Sequence, residues 1–361
     1  MSAVSNDGVH LESEDWGDEL KPGTDLFHGQ YTIERHLKSG GFGITYLARD
    51  SLHRQVVIKE CFPEGMCVRP SRAVRPRSRT YGAGVATLIQ KFIREAQNLS
   101  RIDHPNVVRV HQVFEDNDTA YMVLDFIEGR DLGEAITVNP LGPDEIRSAL
   151  LQLLDAVAVI HDRGLLHRDI SPDNIMLDDQ RRPVLIDFGA ARDQKPGPDR
   201  PRSTVHVVKD GYSPQELYLQ GGDQGPWSDL YALAATFHHL IAGEAPLNSQ
   251  TRLAALAMGS PDPYQPLAGR FDAYPPTFLA AIDKALSVMA HARIQSAREW
   301  TALITGAPAP QPRPVLQPKA PAPPRPAVIA RPAAKPPLPL TRAAACVAAV
   351  LALGAVILAT V

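Results

Sequence analysis

His167-Arg-Asp-Ile-Ser-Pro-Asp-Asn174, followed within one turn and one short strand by Leu185-Ile-Asp-Phe-Gly189, is the stretch from which the rest of the chain is read. It sets two acids, Asp169 and Asp187, and one amide, Asn174, on adjoining loops. Working back toward the N-terminus, Lys38-Ser-Gly-Gly-Phe-Gly43 separates strands predicted at 31–37 and 44–48. Glycine lets such a strand–turn–strand unit lie close over an anionic ligand, with backbone amides facing it and no Cβ in the way. Val56-Val-Ile-Lys59 then puts a lysine on an apolar strand, where an ammonium without an anionic partner is costly to bury. Glu95, in Phe92-Ile-Arg-Glu-Ala-Gln-Asn-Leu99, lies on the single helix predicted in this half, at about 87–101, and is the natural carboxylate for Lys59.

In wording, spacing and order, these motifs resemble the protein kinase family, in particular its eukaryotic-like serine/threonine members of bacteria, and the resemblance runs from about Tyr31 to Ile304. It implies an α+β fold of two lobes, a small β-rich N-lobe and a larger helical C-lobe, that uses ATP and Mg2+ and takes protein substrates. Asp169 would accept or orient the proton of the acceptor hydroxyl. Asn174 and Asp187 would hold magnesium, and Lys59 with Glu95 would position the α- and β-phosphates. Leu37, Gly40, Gly41, Phe42 and Gly43 would cover the nucleotide. Leu124 would line the back of the adenine pocket, Asp125 to Ile127 the hinge, and Asp131 would meet the ribose. Such chemistry depends on metal and charge placement around crowded anions more than on a covalent nucleophile, which suits two acids and an amide on neighbouring loops.

The same resemblance makes Gly211-Tyr-Ser-Pro-Gln-Glu216 the end of an activation segment, Asp229 the buried acid that opens the central helix, and Arg293 the partner of Glu216. Ser203 and Thr204 become candidates for self-phosphorylation, with Arg168 able to receive the phosphate. Two positions depart from the pattern. Lys38 replaces the first glycine of the loop, and Ser171 replaces the lysine expected beside the γ-phosphate. Counting back from Ser213, Lys209 stands where a threonine is common in the family. It is expected to reach Asp169 and supply the missing charge. The departures leave open a nucleotide-binding pseudokinase scaffold, but the retention of Lys59, Glu95, Asp169, Asn174 and Asp187 favours an active enzyme.

Residues 31–124 carry short β-branched runs and predict the β-rich lobe, with the helical lobe at about 128–304 inside a domain of 26–304. Before it, residues 1–25 hold seven acids against Lys21 alone and predict an acidic disordered leader. After Glu299 there are six bases and no acid, and 307–340 contain 13 of the 33 prolines, so a Pro/Ala/basic linker is expected over 305–342. The 19 residues 343–361 carry no charge and predict a transmembrane helix, while Arg331, Lys335 and Arg342 put the kinase domain on the cytoplasmic side. A basic insert, with Arg69, Arg72, Arg75, Arg77 and Arg79, separates Lys59 from Glu95 and reads as a solvated loop or as a docking patch for an acidic partner. The charge asymmetry, an acidic leader and a basic tail rather than basic residues gathered on a folded face, argues against nucleic-acid binding. Cys61, Cys67 and Cys346 have no zinc spacing and fit a reduced compartment.

Overall fold

In the first half of the domain, apolar side chains recur at every second position, and this pattern sets the sheet. Ile44, Tyr46 and Ala48 on one strand, and Val56 and Ile58 on the next, all point to one face and are buried there. The computed structural model describes residues 17–188, 208–219 and 222–307. Its first strands are β1 (Asp25–Leu26), β2 (Tyr31–Gly40), β3 (Gly43–Asp50), β4 (Gln55–Cys61), β5 (Cys67–Val68) and β6 (Arg75–Pro76), followed by helix α1 (Gly82–Leu99) and strands β7 (Val110–Asp116) and β8 (Thr119–Asp125). One six-stranded antiparallel sheet runs β1-β2-β3-β4-β8-β7, and β5 and β6 form a separate hairpin. Helix α1 covers the other face of the sheet with Phe92, Ala96 and Leu99, which join Val110, Met122 and Leu124 in a second core.

The basic insert is more than a solvated loop. Arg69 is buried, and its guanidinium donates to Glu60 Oε2 at 2.5 Å. Tyr46 and Tyr121 hydroxyls donate to the same carboxylate at 2.9 and 2.6 Å. A buried carboxylate requires this degree of satisfaction, so the insert is fixed to β4 at the residue next to Lys59. The sequence expectation of a leader reaching residue 25 also needs adjustment. Leu20 is buried, Arg69 N donates to Asp18 Oδ1 at 2.7 Å, and Asp25 and Leu26 pair with Thr32 and Tyr31. An acidic composition is compatible with order here because Asp18 has a backbone amide to accept and Leu20 has a core to enter.

Past β8 the chain becomes helical. Strand β9 (Gly129–Asp131) and helices α2 (Leu132–Val138) and α3 (Pro143–Asp162) are followed by β10 (Ile175–Asp178) and β11 (Pro183–Leu185). These strands form a three-stranded sheet ordered β11-β10-β9. The remaining helices are α4 (Gln215–Tyr218), α5 (Pro226–Ala242), α6 (Ser249–Ala257), α7 (Pro276–Ala285) and α8 (Ala297–Thr305). Helix α3 buries Ile146, Leu150, Leu153, Leu154 and Val157 at helical spacing. Helix α5 is buried without a break from Ser228 to His238, as its nearly continuous apolar sequence predicts. It opens with Pro226 at its first position and stops at Gly243, whose φ of 80° suits glycine.

The two-lobed α+β architecture therefore matches the sequence expectation. The linker from residue 308 and the predicted span at 343–361 lie outside the described residues, as do Gly189, Ser203 and Thr204. Among the described residues no helix is long and apolar enough to cross a membrane.

Candidate active site

The loop from His167 to Asn174 is held from below by one acid of α5. Asp229 accepts from the amides of His167 and Arg168 at 2.9 and 2.7 Å and from His161 Nε2 at 2.8 Å. Burial opposes the charge of Asp229, but these donors, led by His161, hold its pKa below the ordinary carboxylate range. The amides that Asp229 grips flank a strained point, because Arg168 adopts φ 66°, a left-handed value uncommon for a non-glycine residue. His167 is buried, which lowers its pKa. Its Nε2–H donates to the Ile186 carbonyl at 3.1 Å and so ties this loop to the strand end that carries Asp187. Phe188 packs on the His167 ring with centroids 4.4 Å apart. Asp187 itself has φ 55°.

On this base the structure brings Lys59, Asp169, Asn174, Asp187 and Lys209 into one cleft. The amide nitrogen of Asn174 donates to Asp169 O at 2.7 Å and Oδ2 at 2.9 Å, which fixes the Asp169 carboxylate and orients Asn174 Oδ1 as the oxygen donor of that side chain. Lys59, on β4, forms its ion pair with Asp187. Burial works against the Lys59 ammonium, but Asp187, with Glu95 and Asp169 behind it, raises its pKa above the usual lysine value. Glu95 adds its negative charge to the groups that keep Lys59 charged, and Lys59 is ion-paired with Asp187. Asp187 is depressed below the carboxylate range by Lys59, with smaller contributions from Lys38 and His167, against the opposing effect of burial.

Lys209 reaches Asp169, as its place four residues before Ser213 predicts. Its ammonium lies 3.4 Å from Asp169 Oδ1, donates to Ser171 Oγ at 2.6 Å and to Asp173 Oδ2 at 2.9 Å. Its backbone is fixed by two bonds with Ser213, Lys209 N to Ser213 Oγ and Ser213 N to Lys209 O, each 2.9 Å. The turn closes through Gly211 at φ 84°, where a Cβ would meet the Pro246 carbonyl oxygen at 2.9 Å. Asp173 was not singled out from sequence, yet it is the hub of this corner. It accepts from Ser171 Oγ at 2.6 Å, and Lys38 Nζ approaches to 3.6 Å. Burial would raise its pKa, but Ser171, Lys209 and Lys38 take it down to about 2.

Above the cleft, Gly41 and Phe42 form the turn between β2 and β3, with Gly40 opposite Gly43 and Leu37 just before it. Gly43 has a steric reason to be glycine, since a Cβ there would lie 2.5 Å from the Glu60 carbonyl oxygen. Leu124 is buried on β8 opposite Val57. Asp125 ends that strand and is hydrogen-bonded to His111 at 2.6 Å, and the chain continues through Ile127 to β9. Asp131 caps α2, accepting from Glu134 N at 2.8 Å, so part of its carboxylate serves the fold.

Among the described residues no cluster of three or more His, Cys, Asp or Glu side chains forms a metal cage. Magnesium does not need one, because it keeps water and commonly takes one or two protein oxygens together with phosphate. The Asp187 carboxylate and Asn174 amide oxygen are hard donors of that kind and fit it. In the lower lobe, Glu216 and Arg293 form a buried two-point pair at 2.7 and 3.1 Å, with Ser228 Oγ donating to Glu216 at 2.7 Å.

Comparison with known proteins places this geometry. Residues 31–299 match the family model described as Protein kinase domain. The chain is 31% identical over 290 residues to serine/threonine-protein kinase pkn2 of Myxococcus xanthus, covering 78% of this chain and 32% of that protein. It is 32% identical over 225 residues to serine/threonine-protein kinase PrkC of Bacillus subtilis, covering 62% and 32%. The matches therefore span about a third of the length of these relatives. Among solved structures, one described as PpkA-294 apo form aligns with TM-score 0.66 and 34% identity, over 80% of this chain and 99% of that one. The kinase domain of Mycobacterium tuberculosis PknI aligns with TM-score 0.56 at 24% identity, over 80% of this chain and all of the other, a likeness of fold.

Proposed function

The chain belongs to the protein kinase family, among its eukaryotic-like bacterial serine/threonine members, and on that premise we propose that it transfers the γ-phosphoryl group of ATP to serine or threonine hydroxyls of proteins, itself included. The observation that carries this reading is the convergence of Asp169, Asn174, Asp187, Lys59 and Lys209 in one cleft. Asp169, held by Asn174, orients the acceptor hydroxyl and takes its proton as the oxygen attacks. Lys59 positions the nucleotide phosphates, and Lys209 supplies the fixed cation that Ser171 cannot. Bound through Asp187 and Asn174, Mg2+ would neutralise charge on the phosphates. Preorganised cations aimed at developing charge lower the barrier because they need no reorientation during transfer.

Ser203 and Thr204 are the proposed self-modification sites, and 343–361 is the proposed single span, with the kinase domain on the cytoplasmic side. The support for the span is its 19 uncharged residues and the basic residues that precede them. Alkaline extraction of membranes tests it: the chain should stay in the pellet and be released by detergent, and release by alkali alone would contradict the span. For the activity, the full chain is incubated with Mg2+ and γ-labelled ATP in the presence of casein. Label should enter protein and disappear in Asp169→Asn while Mg-ATP still raises the melting temperature of that variant. Label incorporation unchanged by Asp169→Asn would refute the assignment.

A further inference from the structure

Lys38 occupies a position on β2, opposite Thr45 of β3, at the base of the turn that roofs the cleft. Its ammonium nevertheless approaches the lower lobe, 3.6 Å from Asp173 Oδ2, and its charge acts on Asp187 as well. Asp173 has little need of this partner, since Lys209 and Ser171 already hold it through hydrogen bonds of 2.6 to 3.1 Å. The Lys38 and Asp173 side chains are 60% and 44% exposed, and an exposed pair of long side chains contributes little to stability. Lys38 therefore lies beside an anion that binds it weakly, at the mouth of a cleft that the reading above fills with more strongly charged phosphates.

Asp173 and Asp169 share Lys209, so the Lys38 ammonium stands at the catalytic-loop end of the cleft, where the acceptor hydroxyl arrives. Lys59 approaches from the sheet, at Asp187. We propose that Lys38 is a phosphate-contacting residue shared between two anions, Asp173 and the terminal phosphate of a bound nucleoside triphosphate. A terminal phosphate carries more charge than a carboxylate already served by Lys209, so the ammonium passes from Asp173 to the phosphate when the triphosphate is present. A diphosphate does not extend to this end of the cleft and leaves Lys38 on Asp173. In this way a lysine in place of the usual first glycine makes the cleft select triphosphate over diphosphate, and it adds a third cation to Lys59 and Lys209.

This inference rests on the nucleotide-binding reading, and a binding measurement separates the two. Affinities of the full chain for a non-hydrolysable ATP analogue and for ADP, both with Mg2+, are measured by calorimetry for the parent, Lys38→Ala, Lys38→Arg, Asp173→Asn and the Lys38→Ala/Asp173→Asn double variant. Lys38→Ala should weaken the triphosphate analogue roughly three- to tenfold and ADP less than about twofold, and Lys38→Arg should recover most of the loss. Asp173→Asn should tighten the triphosphate more where Lys38 is present than in the Lys38→Ala background, where only the lost carboxylate charge and the freed Lys209 act, a non-additivity that mere loss of a surface pair would not produce. Equal losses for the two nucleotides, or no loss, in a parent that binds both would overturn the role of Lys38 alone. A parent that binds neither nucleotide would overturn the functional reading and this one with it.

Discussion

Lys209→Ala is the substitution whose outcome the site geometry fixes most narrowly. The ammonium lies 3.4 Å from Asp169 and 2.9 Å from Asp173, and its side chain is 24% exposed, so it sits in a partly dehydrated corner. At an effective dielectric of about 20, a unit charge pair about 4 Å apart interacts by roughly 4 kcal/mol, an upper bound before screening. Only the share that grows as charge moves onto the transferring group affects the rate. A loss of about 2–3 kcal/mol in transition-state stabilisation, or roughly 30- to 150-fold in kcat, is therefore expected. The turn should survive, since Lys209 is held through its own backbone amide and carbonyl to Ser213. Ser171→Lys alone should also slow transfer, because Ser171 is fully buried beneath Lys209 and a second ammonium would crowd the first. The double variant has room for the new lysine and should recover at least about tenfold over Lys209→Ala. Steady-state and single-turnover rates on one protein acceptor provide the assay. A Lys209→Ala enzyme with unchanged kcat, or a double variant no faster than the single, would refute the exchange of cation between the two loops.

Three further outcomes follow from the packing. Arg293→Met leaves the buried Glu216 carboxylate without its two-point partner and should cost about 3–5 kcal/mol of stability in chemical denaturation, much of it regained when Glu216→Leu is added. Stability should also fall as pH drops below the ordinary histidine value of 6.5, because burial holds His167, His238 and His239 below it and the unfolded chain takes up protons that the folded chain refuses. A second loss is expected below the ordinary Asp value of 3.8, where the depressed Asp173, Asp187 and Asp229 give the folded state fewer protons than the unfolded chain. A melting temperature that stays flat from about pH 7 to pH 5 would contradict the histidine part. Gly43→Ala places a methyl 2.5 Å from the Glu60 carbonyl oxygen and must spread β3 from β4 beside Lys59, so a loss of about 1–3 kcal/mol in urea unfolding is expected, whereas an unchanged midpoint would show that the strands yield freely.

The loops were legible because their chemistry is carried by short strings with fixed spacing. His167 to Asn174 and Leu185 to Phe188 identify themselves in the sequence, and counting back from Ser213 locates Lys209. The nearly continuous apolar run from Leu230 to Ile241 foretold α5 as a buried central helix, and its buried run agrees. Helix α1 begins at Gly82, earlier than predicted, because Gly82 and Gly84 disguise its first turn. Nothing local to Arg69 signals that it would be buried on Glu60, since a basic stretch ordinarily reads as solvated and the tie depends on Tyr46 and Tyr121 from two other strands. Asp173 escaped for a similar reason. Its role depends on Lys209, distant in sequence within the same lobe, and on Lys38, which reaches it from the β-rich lobe. The Lys59–Asp187 pair likewise depends on how two lobes meet, whereas Glu95 was the carboxylate visible on the nearest predicted helix.

The most direct test of the account is a single turnover of the full chain with Mg2+ and γ-labelled ATP, followed by acid hydrolysis and identification of the labelled amino acid. The account predicts label in phosphoserine or phosphothreonine, formed by the parent and lost in Asp187→Asn. Tight binding of Mg-ATP with no transfer to any hydroxyl would contradict it and would make the cleft a nucleotide-binding scaffold.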